Sequence, residues 1–163
     1  MSMIGNFKQV TPTQLQEIEA SPSRLEAVLF DSSEGGASED ELNIGKTWDA
    51  LHFLLSRSQE NTNQILEKVI LGGKEIGEKL DYDPARYVAP SEVTEISRIL
   101  SGISSETLKK NFDSQAMVEA DLYPSIWDED GVFEDYLLPS FHELAEFYQD
   151  AAKKGNAVLF YIT

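Results

Sequence analysis

Two residues one helical turn apart, Asp49 and His52, are the pair in this chain best placed by type and spacing for chemistry. On a helix, side chains three positions apart are neighbours. A carboxylate beside an imidazole can orient the ring and raise its basicity, which is what a general base needs. Tyr123 is the third candidate for such a site, and it stands with Trp127 in the aromatic connection Asp121-Leu122-Tyr123-Pro124-Ser125-Ile126-Trp127. Lys46 and Trp48 lie on the same segment as Asp49 and are the neighbours that would bind a ligand there. Hydrolysis or a related proton transfer is the reaction class such a set suits. The competing reading makes His52 a satisfied histidine at the edge of the core, because no nucleophile motif lies nearby. Loop aromatics such as Tyr123 and Trp127 need either a packing reason or a binding one.

Other constellations are weaker. The second histidine, His142, is followed by Glu143, and adjacent residues diverge on a helix; no His-Glu-x-x-His is present, so no metal site is expected. Asp128-Glu129-Asp130-Gly131 lacks the alternating ligands and the distal bidentate glutamate of a calcium loop. Gly35-Gly36 and Gly72-Gly73-Lys74 match no phosphate-cradling motif, and there is no Gly-x-Ser-x-Gly elbow. No cofactor is expected.

Charge narrows the partner class. The chain carries 29 acidic against 13 basic residues, a formal net charge of −16. Between Asn111 and Ala152 stand 11 carboxylates and neither Lys nor Arg. Such a field repels phosphate backbones and anionic lipid, so neither nucleic acid nor membrane is an expected partner. It attracts basic protein surfaces, and helical periodicity turns Glu134, Glu143, Glu146 and Asp150 away from the apolar stripe of their segment. These four are the candidate binding residues for a basic protein partner; solubility is the plainer reading of the same residues. The expected function is accordingly that of a non-enzymatic binding protein with an acidic surface, with a general acid/base enzyme around Asp49 and His52 as the alternative.

The 163 residues fit one domain, expected to be a monomer by default, and no cysteine is available for disulfides or thiolate sites. The first eight residues lack the apolar stretch of a signal peptide, and no apolar run is long enough to span a bilayer, so the cytoplasm is the expected location.

The elements that must hold these residues can be read from caps and periodicity. Residues 3–10 suit a first strand. Thr11-Pro12-Thr13-Gln14 forms a capping-box start for a helix buried through Leu15 and Ile18, and Pro22 to Phe30 predicts a second short helix. Residues 31–43 are polar and read as an exposed loop. Lys46 to Arg57 is amphipathic through Trp48, Leu51, Leu54 and Leu55, and a short helix is expected from Thr62 to Leu71. Arg86-Tyr87-Val88-Ala89 suits a strand. Helices then open at Pro90, Ser104 and Asp113, and a long helical pattern runs from Asp130 to Lys154, which Pro139 should kink or divide. Ala157 to Ile162 is the clearest strand. The class predicted is α+β: a small mixed or antiparallel sheet containing both terminal strands, covered by several helices packed on one side.

Taken in order, several blocks resemble one family. They are Met3-Ile4-Gly5, Lys46-x-Trp48-Asp49-x-Leu51-His52-x-Leu54-Leu55, Ala85-Arg86-Tyr87-Val88-x-Pro90-Ser91-Glu92-Val93, Tyr123-Pro124-x-x-Trp127 and Gly155-x-Ala157-Val158. Over nearly its whole length the chain is similar to the YfbM-like family, the bacterial domain of unknown function 1877. The resemblance implies an α+β domain of this size, with Lys46, Trp48, Asp49, Leu51 and His52 as its signature. It implies no activity, because the family has no agreed substrate or catalytic residues.

Overall fold

A computed structural model describes residues 2–30, 39–58, 64–80 and 82–163 of the chain. Its centre is an antiparallel five-stranded sheet in the order β2-β1-β5-β4-β3. The strands are β1 (Gly5–Val10), β2 (Glu41–Gly45), β3 (Lys74–Ile76), β4 (Ala85–Val88) and β5 (Ala157–Ile162). Both terminal strands lie side by side at its middle: Gly5 stands opposite Ile162 and Val10 opposite Ala157. Every residue of β5 is buried, which accounts for its nearly unbroken apolar run.

Alternation sends Phe7, Val88, Val158, Phe160 and Ile162 to one face of the sheet, and Val10, Ala157, Leu159 and Tyr161 to the other. The first face holds the larger core, built with α3 (Trp48–Ser56), α4 (Pro90–Gly102), α5 (Ser105–Asn111), α6 (Ser114–Glu119) and α7 (Leu138–Lys154). Phe7 sits among Phe147, Tyr148 and Phe160, with ring centroids between 5.0 and 6.2 Å away. The second face is also covered. Here α1 (Pro12–Ala20) and α2 (Leu25–Phe30) bring Leu15, Ile18, Leu25 and Leu29 onto Ile76, Ala85 and Leu159. The expectation of helices on one side alone is therefore corrected. Apolar residues of β5 point both ways, and an exposed second face carrying Leu159 and Tyr161 would remain in water.

Local signals act where the sequence puts them. Thr11 accepts from the Gln14 N–H while the Gln14 side chain accepts from the Thr11 N–H, at 3.1 and 2.9 Å. Ser104 and Asp113 cap α5 and α6 through the backbone N–H of Thr107 and Ala116. Gly155, at φ +70°, ends α7 in the left-handed region that only glycine enters freely.

Three segments differ from expectation. Glu41–Gly45, the end of the stretch read as loop, is strand β2; residues 31–38 of that stretch lie outside the described residues. The short helix at Thr62 to Leu71 is a 3₁₀ turn over Ile65–Lys68, and residues 62 and 63 are not described. The long pattern from Asp130 changes character next to Pro139: a π-helical turn, Phe133–Leu137, runs directly into α7, and Pro139 stands in the first turn of α7. Among the described residues, no helix is long and apolar enough to cross a membrane.

Candidate functional site

The segment Lys46 to His52 starts α3 directly after β2, so the sheet fixes where its first turn lies. Trp48, Ala50, Leu51, Leu54 and Leu55 are buried, as a helical stripe facing the sheet must be. Trp48 lies across β1. A Cβ at Gly5 would stand 2.8 Å from the Trp48 Cβ, so glycine is what lets the two backbones approach.

Three hydrogen bonds and a ring stack close around that approach. The indole Nε1–H of Trp48 donates to the Met3 carbonyl at 3.0 Å. The Met3 N–H donates to the Tyr123 hydroxyl, also at 3.0 Å. The Tyr123 backbone N–H donates to Asp49 Oδ2 at 2.9 Å. The Tyr123 and Trp48 rings stack at 5.9 Å with 28° between planes. Trp48, Asp49 and Tyr123 thus form a clip that ties the segment before β1 and the loop after α6 to the start of α3. The Asp49 carboxylate spends one oxygen on a backbone N–H rather than on His52.

His52 lies one turn further along. Its Nδ1 is buried with no hydrogen-bond partner among the described residues, and its backbone carbonyl accepts from Ser56 Oγ. Burial lowers its pKa below 6.5, with Arg86 acting in the same direction, while the carboxylates of Asp49 and Glu67 pull it back up. The imidazole is neutral near pH 7, as a base must be, but its orientation does not come from a hydrogen bond with Asp49.

Trp127 has a packing partner. It is 1% exposed, stacks on Tyr136 at 6.2 Å, and keeps its indole Nε1 buried without an acceptor among the described residues. Lys46 donates its backbone N–H to the Tyr136 hydroxyl at 3.3 Å, so Lys46 and Trp127 meet through Tyr136. Trp127 also floors a small cleft of about 170 Å³ bordered by Val118, Asp121, Leu122, Ser125 and Asp128.

The four acidic candidates divide between two places. Glu134, in the π-helical turn, is ion-paired to Lys109 of α5. Glu143, Glu146 and Asp150 line a shallow groove of about 440 Å³ between α7 and β2, together with Glu39, Leu42 and Phe147. Leu42 and Phe147 are its apolar floor. Asp150 accepts from Gln9 and pairs with Lys154, which hold its carboxyl below the usual range. Glu143 and Glu146 are exposed and have no ion-pair partner among the described residues. Among those residues no group of three His, Asp or Glu is placed to hold a metal ion.

Sequence reasoning missed Glu39, Leu42 and Phe147. The alternation of Leu42 and Ile44 was the available signal for a strand. Phe147, three residues after Leu144, extends the apolar stripe of α7 around to the groove.

The family model described as "Domain of unknown function (DUF1877)" matches residues 1–161. Among solved structures, the chain is similar to a protein of unknown function, YfbM from Escherichia coli. The TM-score is 0.70 at 21% identity, covering 98% of this chain and 99% of that one. At that identity the likeness speaks for the fold. No curated protein matches the chain.

Proposed function

The chain belongs to the DUF1877 family, and for this member we propose a non-enzymatic role: binding a basic protein partner through the acidic face of α7. The observation that carries the reading is the groove between α7 and β2, where the exposed carboxylates of Glu143 and Glu146, without an ion-pair partner among the described residues, flank the apolar Leu42 and Phe147. Exposed carboxylates beside apolar surface suit Lys and Arg, whose stems pack on the floor while their heads meet the rim. A net charge of −16 adds long-range steering toward a basic surface. The reading takes the protein to act in the cytoplasm, in keeping with a chain without cysteine.

The test is capture from native lysate at low and high salt with wild-type protein and with Glu143→Lys/Glu146→Lys/Asp150→Lys. A partner held at low salt, released at high salt and lost by the reversed variant supports the reading. Equal recovery by both proteins leaves the acidic face as solvation.

A second reading rests on the Nδ1 of His52, buried and without a hydrogen-bond partner among the described residues, and on its lowered pKa. It assigns general-base chemistry to His52, with Asp49 and Tyr123 beside it. Turnover of chromogenic esters or amides that disappears in His52→Gln would favour it; equal rates in both proteins would remove it.

A further inference from the structure

The strand at the groove, β2, is an edge strand. β2 ends the sheet order, and among the described residues no strand pairs with its outer side. Which backbone groups face outward follows from the ladder. The Gln9 N–H donates to the Asp40 carbonyl at 2.7 Å, and Lys8 stands opposite Glu41, Phe7 opposite Leu42 and Asn6 opposite Asn43. Bonded and non-bonded pairs alternate in an antiparallel ladder. Leu42 therefore turns its N–H and C=O toward β1, whereas Glu41 and Asn43 turn theirs away from it. A register shift follows between Gly5 and Asn6, so the straight, pairable stretch is Glu41 to Asn43.

Side chains alternate in the complementary sense. Leu42 lies opposite Phe7, on the face where α7 packs, and forms the groove floor with Phe147. A strand laid along the outer edge of β2 would lie about 4.8 Å from it. Every second side chain of that strand would point to the same side as Leu42, toward Glu143, Glu146 and Asp150. Apolar and acidic groups thus stand where alternate side chains arrive, and the backbone groups that β2 turns away from β1 stand where the main chain arrives.

We propose that this edge accepts an extended basic segment of a partner protein as a sixth strand, with Lys or Arg at alternate positions entering the groove against α7. The inference rests on the binding reading above and adds its mode: strand addition, in which the main chain contributes affinity and alternate side chains set specificity. A second copy of the chain is the other occupant an open edge invites. It would bring Glu39, Glu143 and Glu146 against their own like, which is the usual protection of an edge against self-pairing.

The probe is a synthetic nine-residue peptide with Lys at alternate positions and Thr or Val between them. It is compared with the same peptide N-methylated at the residues whose N–H would meet β2. Binding is followed by titration calorimetry and by amide hydrogen exchange of Glu41 and Asn43. The proposal expects the unmodified peptide to bind and to protect those two amides. It expects a loss of about tenfold or more on N-methylation, in the range of one or two lost hydrogen bonds, and a similar loss in Glu143→Gln/Glu146→Gln. If the N-methylated peptide binds equally while the glutamine variant binds less, strand addition is overturned and the acidic-surface reading stands. If neither peptide binds, both fall. Concentration-dependent dimerisation with protection of Glu41 and Asn43, in the absence of peptide, would assign the edge to a second copy and overturn the proposal.

Discussion

The clip at the start of α3 and the groove beside α7 hold polar groups of opposite standing. In the clip, the indole N–H of Trp48, the hydroxyl of Tyr123 and one Asp49 oxygen are all engaged inside the protein. In the groove, Glu143 and Glu146 have no ion-pair partner among the described residues, and the outward backbone groups of β2 meet no described strand. The segment that looks most like chemistry by residue type has had much of its polarity absorbed by packing. The segment that looks like mere solubility engages Asp150 through Gln9 and Lys154 but leaves Glu143 and Glu146 without an ion-pair partner among the described residues. Free hydrogen-bonding and charged groups are what a partner can use, so the difference directs a binding experiment to the groove and a stability experiment to the clip.

The largest effect should come from breaking the clip at its centre. Trp48 is 7% exposed, stacks on Tyr123 and anchors Met3. Trp48→Ala should destabilise by roughly 3–5 kcal/mol, the usual range for removing a buried large aromatic. Urea unfolding checks this. A variant as stable as wild type would mean that the indole is held loosely, and the contrast with the groove would fail.

Next comes Asp49. Removing its carboxylate strands the Tyr123 N–H in a partly buried position. Asp49→Ala should cost about 1–3 kcal/mol, and Asp49→Asn, which keeps a carbonyl acceptor, should recover part of it. Equal stability of Asp49→Ala and wild type would free Asp49 for the role beside His52 that its spacing first suggested.

These two residues also show what was legible. The one-turn spacing of Asp49 and His52 could be read, but Asp49 bonds Tyr123, 74 positions away, and only the assembled sheet and loop bring them together. Tyr123 and Trp127 asked for a packing or binding reason, and the rings of Trp48 and Tyr136 give a packing one. β5, the caps of α1, α5 and α6, and the division near Pro139 were readable because each is written in adjacent residues. β2 was not: the side chain of Glu41 is only partly buried and that of Asn43 is exposed, so both can be polar, and two apolar residues in five do not stand out beside the polar run before them. β3 is three residues long, Lys74–Ile76, too short for any period to show. The division of labour between α1/α2 and the larger helical layer depends on which way each β5 side chain points, and an all-buried strand hides that.

A smaller effect separates His52 from the paired carboxylates by pH. Burial keeps the folded-state pKa of His52 below its ordinary 6.5, so on acidification the unfolded chain takes up this proton first. Stability should be level above about 6.5 and should begin to fall as pH drops below it. Hydrogen bonds from Lys109 to Glu134, and from Gln9 and then Lys154 to Asp150, lower those two carboxyl pKa values from their ordinary 4.5 and 3.8. Their contributions are present above those ordinary values and are lost only in more acid solution. In His52→Gln the decline that sets in below about pH 6.5 should vanish while the more acid decline persists. Retention of the full slope in that variant would assign it to other groups.

The smallest effect expected on stability belongs to the groove, and there the smallness is the point. Glu143 and Glu146 are exposed and touch no cation among the described residues, so Glu143→Gln/Glu146→Gln breaks no described ion pair. Surface changes of this kind usually stay within about 0.5 kcal/mol. The sign should be neutral or slightly stabilising, since glutamine keeps good helix propensity and two charges leave a chain that carries −16. Thermal melts at low and high salt give the measurement: any gain should shrink as salt screens the remaining charge. A clear loss of stability would show that these carboxylates already support the fold, and the groove would then join the clip as structure. An unchanged melt combined with weakened binding of a basic probe would separate the two regions in a single pair of experiments, one holding the chain together and the other meeting its partner.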